Sequence, residues 1–226
     1  MVRGIYWMVA KALHKGGHMN IQKVLLAILL SSIILIAGCL GGDEPYLFNG
    51  EEPHGGKAAS FTLIDQHGEE WSLSQAEGNV TIVSFIFTRC PDICITSSLS
   101  IKYVLGELTD EERDSVELVS VTVDPWYDTP EKMASFADSR TTGWPHVTSA
   151  NAGDLNQTFP ELEEVWGDYN VSLETYDSGD GEYLIQHSLP IYMLDRGHNK
   201  RVVWLGSDWD PFMFQQDLIY LIHEDE

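Results

Sequence analysis

Two cysteines four residues apart, Cys90 and Cys94, follow directly on a run of apolar and β-branched residues, Val80 to Phe87. The run has the length and composition of a buried strand. Pro91 comes next, a residue suited to the first turn of a helix because it has no amide to leave unpaired. The pattern predicts a strand that turns into a helix at Cys90, with Cys94 one turn further in. Free amides and the positive end of the helix dipole would then favour a thiolate at Cys90. Residues four apart on a helix share a face with Cα atoms about 6 Å apart, within disulfide range. The same two sulfurs could instead hold a metal between them, or simply pack, since a free cysteine behaves as a small hydrophobe.

The elements needed to position such a pair are legible around it. Phe61–Asp65 and Glu70–Leu73 flank Gln66-His67-Gly68-Glu69 and read as a β-hairpin. The cysteine helix is expected to run to about Leu108, with Ile95, Leu99 and Tyr103 on its apolar face at i, i+4 spacing. Val116–Val123 reads as a strand parallel to the first, because a helix separates them. Thr129 and Pro130 suit the N-cap and N1 of a helix to about Ser139. A short strand over His146–Ser149 and a helix over residues 152–167, interrupted by Pro160, are expected next. Val171–Tyr176 with Tyr183–Gln186, and Ile191–Asp195 with Arg201–Leu205, read as two hairpins. Asp210-Pro211 caps a last helix to about Ile222. This order is that of an α/β, thioredoxin-like fold: a central mixed sheet flanked by helices, with an N-terminal β-hairpin.

In that fold the loop before the late antiparallel pair faces the cysteine helix. Here the loop is Gln186-His187-Ser188-Leu189-Pro190, so His187 is the candidate third group at the sulfurs. His146 is the next candidate. His54, His67, His198 and His223 read as surface residues.

The N-terminal part has a different character. Residues 1–38 read as a leader, with Met19 a possible start, Lys23 in its basic part and an apolar stretch from Val24 to Ala37. It ends Ile36-Ala37-Gly38-Cys39, which resembles the lipobox of bacterial and archaeal lipoproteins; an uncleaved membrane anchor is the alternative. Either places the domain outside the cytoplasmic membrane, where disulfides persist. Residues 39–56 read as the lipidated Cys39 and a flexible linker, and 57–226 as the domain. The formal net charge is −22. The four basic residues before Cys39 (Arg3, Lys11, Lys15, Lys23) are matched by no acid there, so a chain starting at Cys39 carries nine basic and 35 acidic residues, net −26. Such a surface repels nucleic acid. It serves solubility and would attract a cation or a basic partner.

The runs FTRCPDIC, VTVDPWYDTPE and YLIQHS, in that order, resemble the Sco/SenC family over roughly Lys57 to the C-terminus. The resemblance implies copper bound by Cys90, Cys94 and His187, with Asp124 near the site in a supporting or partner-docking role. It implies delivery of copper to the Cu-A centre of a cytochrome oxidase subunit, with possible reduction of that subunit's cysteines. Ile95 stands where the family often has proline, and Gln186 where it often has an acid before the histidine. The donor chemistry agrees with the resemblance: two thiolates suit Cu(I), and an added imidazole accommodates Cu(II). A structural zinc would want a fourth protein ligand. Two other readings stand beside this one. In the first, Cys90 and Cys94 form the redox-active pair of a thiol-disulfide oxidoreductase or thiol peroxidase. In the second, the domain is a redox or copper sensor.

Overall fold

The structure, a computed structural model, describes residues 45–224 apart from 91–92, 141, 180–182 and 207. The expected leader, Cys39 and Pro91 lie outside these residues. Among the described residues no helix is long and apolar enough to cross a membrane.

Strands β1 (Thr62–Ile64) and β2 (Glu70–Ser72) form the expected N-terminal hairpin. Asp65 closes its turn: its Oδ1 accepts the amides of His67 and Glu69. Strand β3 (Val80–Ile86) is buried at all seven positions, which is why it reads as an unbroken apolar run rather than an alternation. Its even and odd residues serve two cores. Val80 and Ile82 pack with Ile101 and Val104 of helix α1 (Ile93–Gly106) and with Phe214, Leu218 and Leu221 of helix α5 (Pro211–His223). Val83 and Phe85 pack with Leu162, Val165 and Trp166 of helix α4 (Pro160–Asp168) and with Leu63 and Trp71 of the hairpin.

After the short helix α2 (Asp110–Asp114), held by a Thr109–Glu112 capping box, strand β4 (Val116–Thr122) pairs parallel to β3 as expected. Helix α3 (Pro130–Arg140) and the two-residue strand β5 (His146–Val147) follow. Strands β6 (Leu173–Asp177) and β7 (Tyr183–His187) form a separate two-stranded hairpin. Strand β8 (Ile191–Leu194) then pairs antiparallel to β3, and β9 (Lys200–Trp204) antiparallel to β8. The central sheet has the order β5-β4-β3-β8-β9. A mixed sheet in this order, covered by helices on both faces and carrying the cysteines just beyond its central strand, is a thioredoxin-like fold.

Three local expectations change. Pro160 begins α4 instead of interrupting a longer helix, and the residues before it are turn and loop, as suits a proline at N1. Leu99 and Tyr103 are exposed at 47% and 61%. The buried face of α1 is Cys94, Ser98, Ile101, Val104 and Leu105. The two cysteine-adjacent turns bury small residues, so apolar spacing alone selects the wrong stripe. The packed unit starts at Phe48, ahead of the Lys57 expected. Buried Asp217 of α5 accepts the Asn49 amide (2.9 Å), the Asn49 side-chain amide (2.9 Å) and the Gly50 amide (3.0 Å), and Glu51 pairs with Val203. Gly50 runs so close to the sheet that a Cβ there would lie 2.5 Å from the Val202 side chain.

Candidate functional site

Cys94 is the second residue of α1, 1% exposed, packed with Ile86, Met133 and Phe136. Cys90 lies at the end of the β3–α1 connection and is half-buried against the same cluster. The Cys94 amide donates to the Cys90 sulfur at 3.3 Å, so the two residues meet across one turn as their spacing requires. Both are free thiols. The hydrogen bond with Cys90 and burial together push the Cys94 thiol well up from its ordinary pKa. Cys90 is the accessible sulfur and Cys94 the covered one.

His187 ends β7, and its ring stands edge-on to Phe87 at 5.4 Å between centroids. Phe87 also packs against the cysteine cluster, as does Leu189 of the following loop. The loop therefore faces the cysteine helix, with the Phe87 ring touching both sides. Burial lowers the imidazole's pKa, and the Ser188 backbone offsets part of the effect, so His187 is neutral near pH 7. Its Nδ1 is buried without a hydrogen-bond partner. A neutral imidazole with an orphaned buried nitrogen suits a metal ligand. Among the described residues, however, no three His, Cys, Asp or Glu side chains converge closely enough to hold an ion. The thiols are together, and the imidazole stands across Phe87 from them.

The other histidine candidate has a different role. His146 is wholly buried, stacked on Trp144 at 5.6 Å, with Nδ1 2.9 Å from the Trp144 carbonyl. Burial pulls its pKa down to about 4. It is a neutral core residue. His198, expected at the surface, is also buried: it sits at φ +61° in the β8–β9 turn, and the chain at Ala58 bonds over it.

Asp124 follows β4, is wholly buried, and anchors a small network. Its Oδ2 accepts from Arg89 Nε (3.1 Å) and Nη2 (2.8 Å), and its Oδ1 accepts from the Tyr183 hydroxyl. The Arg89 guanidinium lies 4.3 Å from the Tyr183 ring centroid and 4.5 Å from that of Tyr127. Burial raises the Asp124 pKa, opposed by Tyr183 and Arg89. Arg89 precedes Cys90, and Tyr183 lies four residues before His187 on β7, so this network ties the thiol loop to the strand that carries the imidazole.

Sequence reasoning passed over Asp128. It is wholly buried and accepts from the Thr122 hydroxyl (2.7 Å), the Thr88 amide (3.1 Å) and the Thr88 hydroxyl. Burial raises its pKa to about 6. It holds the backbone two residues before Cys90 to the start of the β4–α3 loop. The signal was present as a second aspartate in DPWYD and a threonine before Arg89, but neither spacing nor composition says that the two meet.

The family model described as SCO1/SenC matches residues 50–208. The chain belongs to the SCO1/SenC family. A protein of Stutzerimonas stutzeri named for copper binding is 32% identical over 117 residues, 49% of this chain and 57% of its own length. The SCO2-like protein of Rickettsia prowazekii is 29% identical over 136 residues, 60% of this chain and 63% of its own. This SCO1/SenC chain thus spans just over half to under two thirds of the length of these relatives. Among solved structures, copper-bound ScoI of Bradyrhizobium japonicum is 26% identical and superimposes with a TM-score of 0.62, covering 73% of this chain and 99% of that one.

Proposed function

We propose that this SCO1/SenC protein binds copper through Cys90, Cys94 and His187 and delivers it to the Cu-A centre of a cytochrome oxidase subunit. The observation that carries the reading is the pairing of two contacting thiols with a neutral, hydrogen-bond-poor imidazole on the facing loop. Two soft sulfur donors suit Cu(I), and the nitrogen donor widens the site to Cu(II). The copper is cargo, so a site with one thiol accessible and one ligand held apart suits exchange better than a closed cage. Asp124 supports the site by holding Arg89 and Tyr183. The relatives named for copper, and the copper-bound Bradyrhizobium structure, support the metal. The lipobox-like Ile36–Cys39 supports a lipid anchor at Cys39 on the extracytoplasmic face. Membrane fractionation and intact mass test the anchor: unmodified full-length protein in the cytosol refutes it.

Titration of the reduced protein with Cu(I) and Cu(II), repeated on His187→Ala, tests the ligand set. The variant is expected to keep Cu(I) binding through the two sulfurs and to lose most Cu(II) affinity together with its thiolate charge-transfer absorption. Unchanged Cu(II) spectra and affinity refute His187 as a ligand. His146→Ala does not serve as a neutral control, because it opens a cavity in the core.

One observation favours thiol-disulfide exchange as a second activity of the same pair. Cys90 is accessible while Cys94 is buried and held as a thiol, the division of labour between an attacking and a resolving cysteine. Exchange at the pair should survive in His187→Ala.

A further inference from the structure

The described surface beside Cys90 departs from the charge of the rest of the chain. A cleft of about 270 Å³ is lined by Arg89, Lys132 and Arg140, with the hydroxyl residues Thr88, Ser135 and Ser139 between them. Among the described residues no acidic side chain lines it. Lys102 reaches its edge, donating to the Arg140 carbonyl at 3.2 Å. Only nine basic residues follow Cys39, against 35 acids, so a third of them meet at one cleft. Random placement on so acidic a surface would scatter them.

The cleft adjoins the thiols. Thr88 and Arg89 lead into Cys90, and Phe136, which also lines the cleft, packs against Cys94. The helix does not favour Lys132. It is the third residue of α3, where a cation opposes the positive end of the helix dipole. Its ammonium lies 3.2 Å from the Tyr127 ring centroid, and among the described residues no carboxylate is within ion-pair distance. Arg140 suits the helix C-terminus and stacks on Phe136. Arg89 is compensated from below by Asp124. Lys132 therefore brings positive charge to the cleft that no described carboxylate balances, reinforced by the N-terminal end of α3.

We propose that this cleft docks an acidic peptide segment of the protein that receives copper from, or exchanges disulfides with, Cys90 and Cys94. General repulsion by a net charge of −22 would keep acidic partners off most of the surface. A local basic cleft would let one bind in the orientation that brings it against Cys90. The proposal rests on the thiol pair being the reactive site and borrows the receiver's role from the copper-delivery reading.

The test uses the reduced full-length protein in neutral detergent and follows alkylation of Cys90, in which its thiolate displaces iodide from the reagent. A short cysteine-free Glu-rich peptide is expected to slow alkylation by iodoacetamide, and a Lys-rich one is not. Lys132→Glu should abolish the protection, whereas Lys57→Glu, the same change in net charge at an exposed site, should keep it. The rate ratio of anionic iodoacetate to neutral iodoacetamide should fall severalfold in Lys132→Glu, because one charge beside the thiol is reversed. High salt should compress that difference. No protection by the Glu-rich peptide, equal protection by both peptides, or equal effects of the two substitutions overturns the proposal. Normal copper binding without peptide protection refutes the cleft alone. Protection without copper binding keeps the cleft and refutes copper delivery.

Discussion

Replacing Tyr183 with phenylalanine removes one oxygen and keeps the ring that lies against the Arg89 guanidinium and edge-on to Trp126. The lost hydroxyl donates to Oδ1 of Asp124, a carboxylate with no exposure to solvent, while Arg89 bonds the other oxygen. Water cannot readily replace the missing donor. A hydrogen bond to a charged partner in such a place contributes about 2 kcal/mol. The loss falls on a weak element. β6 and β7 pair only with each other among the described strands, and most of their residues are partly or fully exposed. A two-stranded hairpin is marginal without tertiary support. Opening of the hairpin in Tyr183→Phe should therefore become about 30-fold more populated. Native-state hydrogen exchange reads this directly: the Ser188 amide, bonded to the Ser172 carbonyl at 2.9 Å, should lose protection by that factor while β3 and β4 amides keep theirs. Cu(II) affinity should fall in parallel, because His187 rides on the same strand. Unchanged hairpin protection refutes the latch. Equal loss across β3 and β4 shows instead that the bond contributes to global stability and not to the position of His187.

Two buried groups should make the stability of the domain depend on pH in opposite directions. Asp128, raised to about 6, binds a proton more readily folded than unfolded, so stability rises by up to about 3 kcal/mol as pH falls from 6 towards 4. His146, lowered to about 4, binds its proton more readily unfolded, so stability falls by a similar amount between pH 6.5 and 4. Urea denaturation of Asp128→Asn should show steeper acid destabilisation than wild type, and His146→Gln the reverse; parallel profiles for all three would refute both assignments. Asp217→Ala should cost about 3 kcal/mol, because it strands three donors on Asn49 and Gly50, and limited proteolysis should then cut within residues 48–56. Resistance of that segment to protease in the variant would show that its strand pairing suffices. In the reduced protein, Cu(I) should protect Cys90 from alkylation, since metal and alkylating agent need the same sulfur; equal rates with and without Cu(I) count against a shared site.

Much of this protein was determined locally and is therefore visible in the sequence. The Cys90–Cys94 pair is one such feature: with a strand ending just before Cys90 and a helix starting just after it, a four-residue separation keeps the two within reach, and the Cys94 amide bonds the Cys90 sulfur. The strands β3 and β4, the hairpin β1–β2, the start of α3 at Pro130 and the capped start of α5 follow from periodicity and turn chemistry within short windows. The facing of the His187 loop and the cysteine helix follows once the fold is recognised. What the sequence left open depends on neighbours distant along the chain. His146 and His187 look alike as letters. One is stacked in the core on Trp144 and the other stands on Phe87 with a bare nitrogen, and burial by remote residues makes the difference. Asp128 became part of the site only because β3 and β4 end side by side, bringing Thr88 to it across 40 residues. The apolar letters of α1 suggest a stripe that faces solvent, since the buried positions of its first turns are the small residues Cys94 and Ser98. Residues 49–56 look like linker by composition, yet a buried carboxylate 168 positions from Asn49 and the edge of β9 fasten them down. The chemistry of the thiol pair is written in a five-residue stretch. The surroundings of His187, of Asp124 and Asp128 and of the basic cleft exist only where the folded chain brings separate segments together.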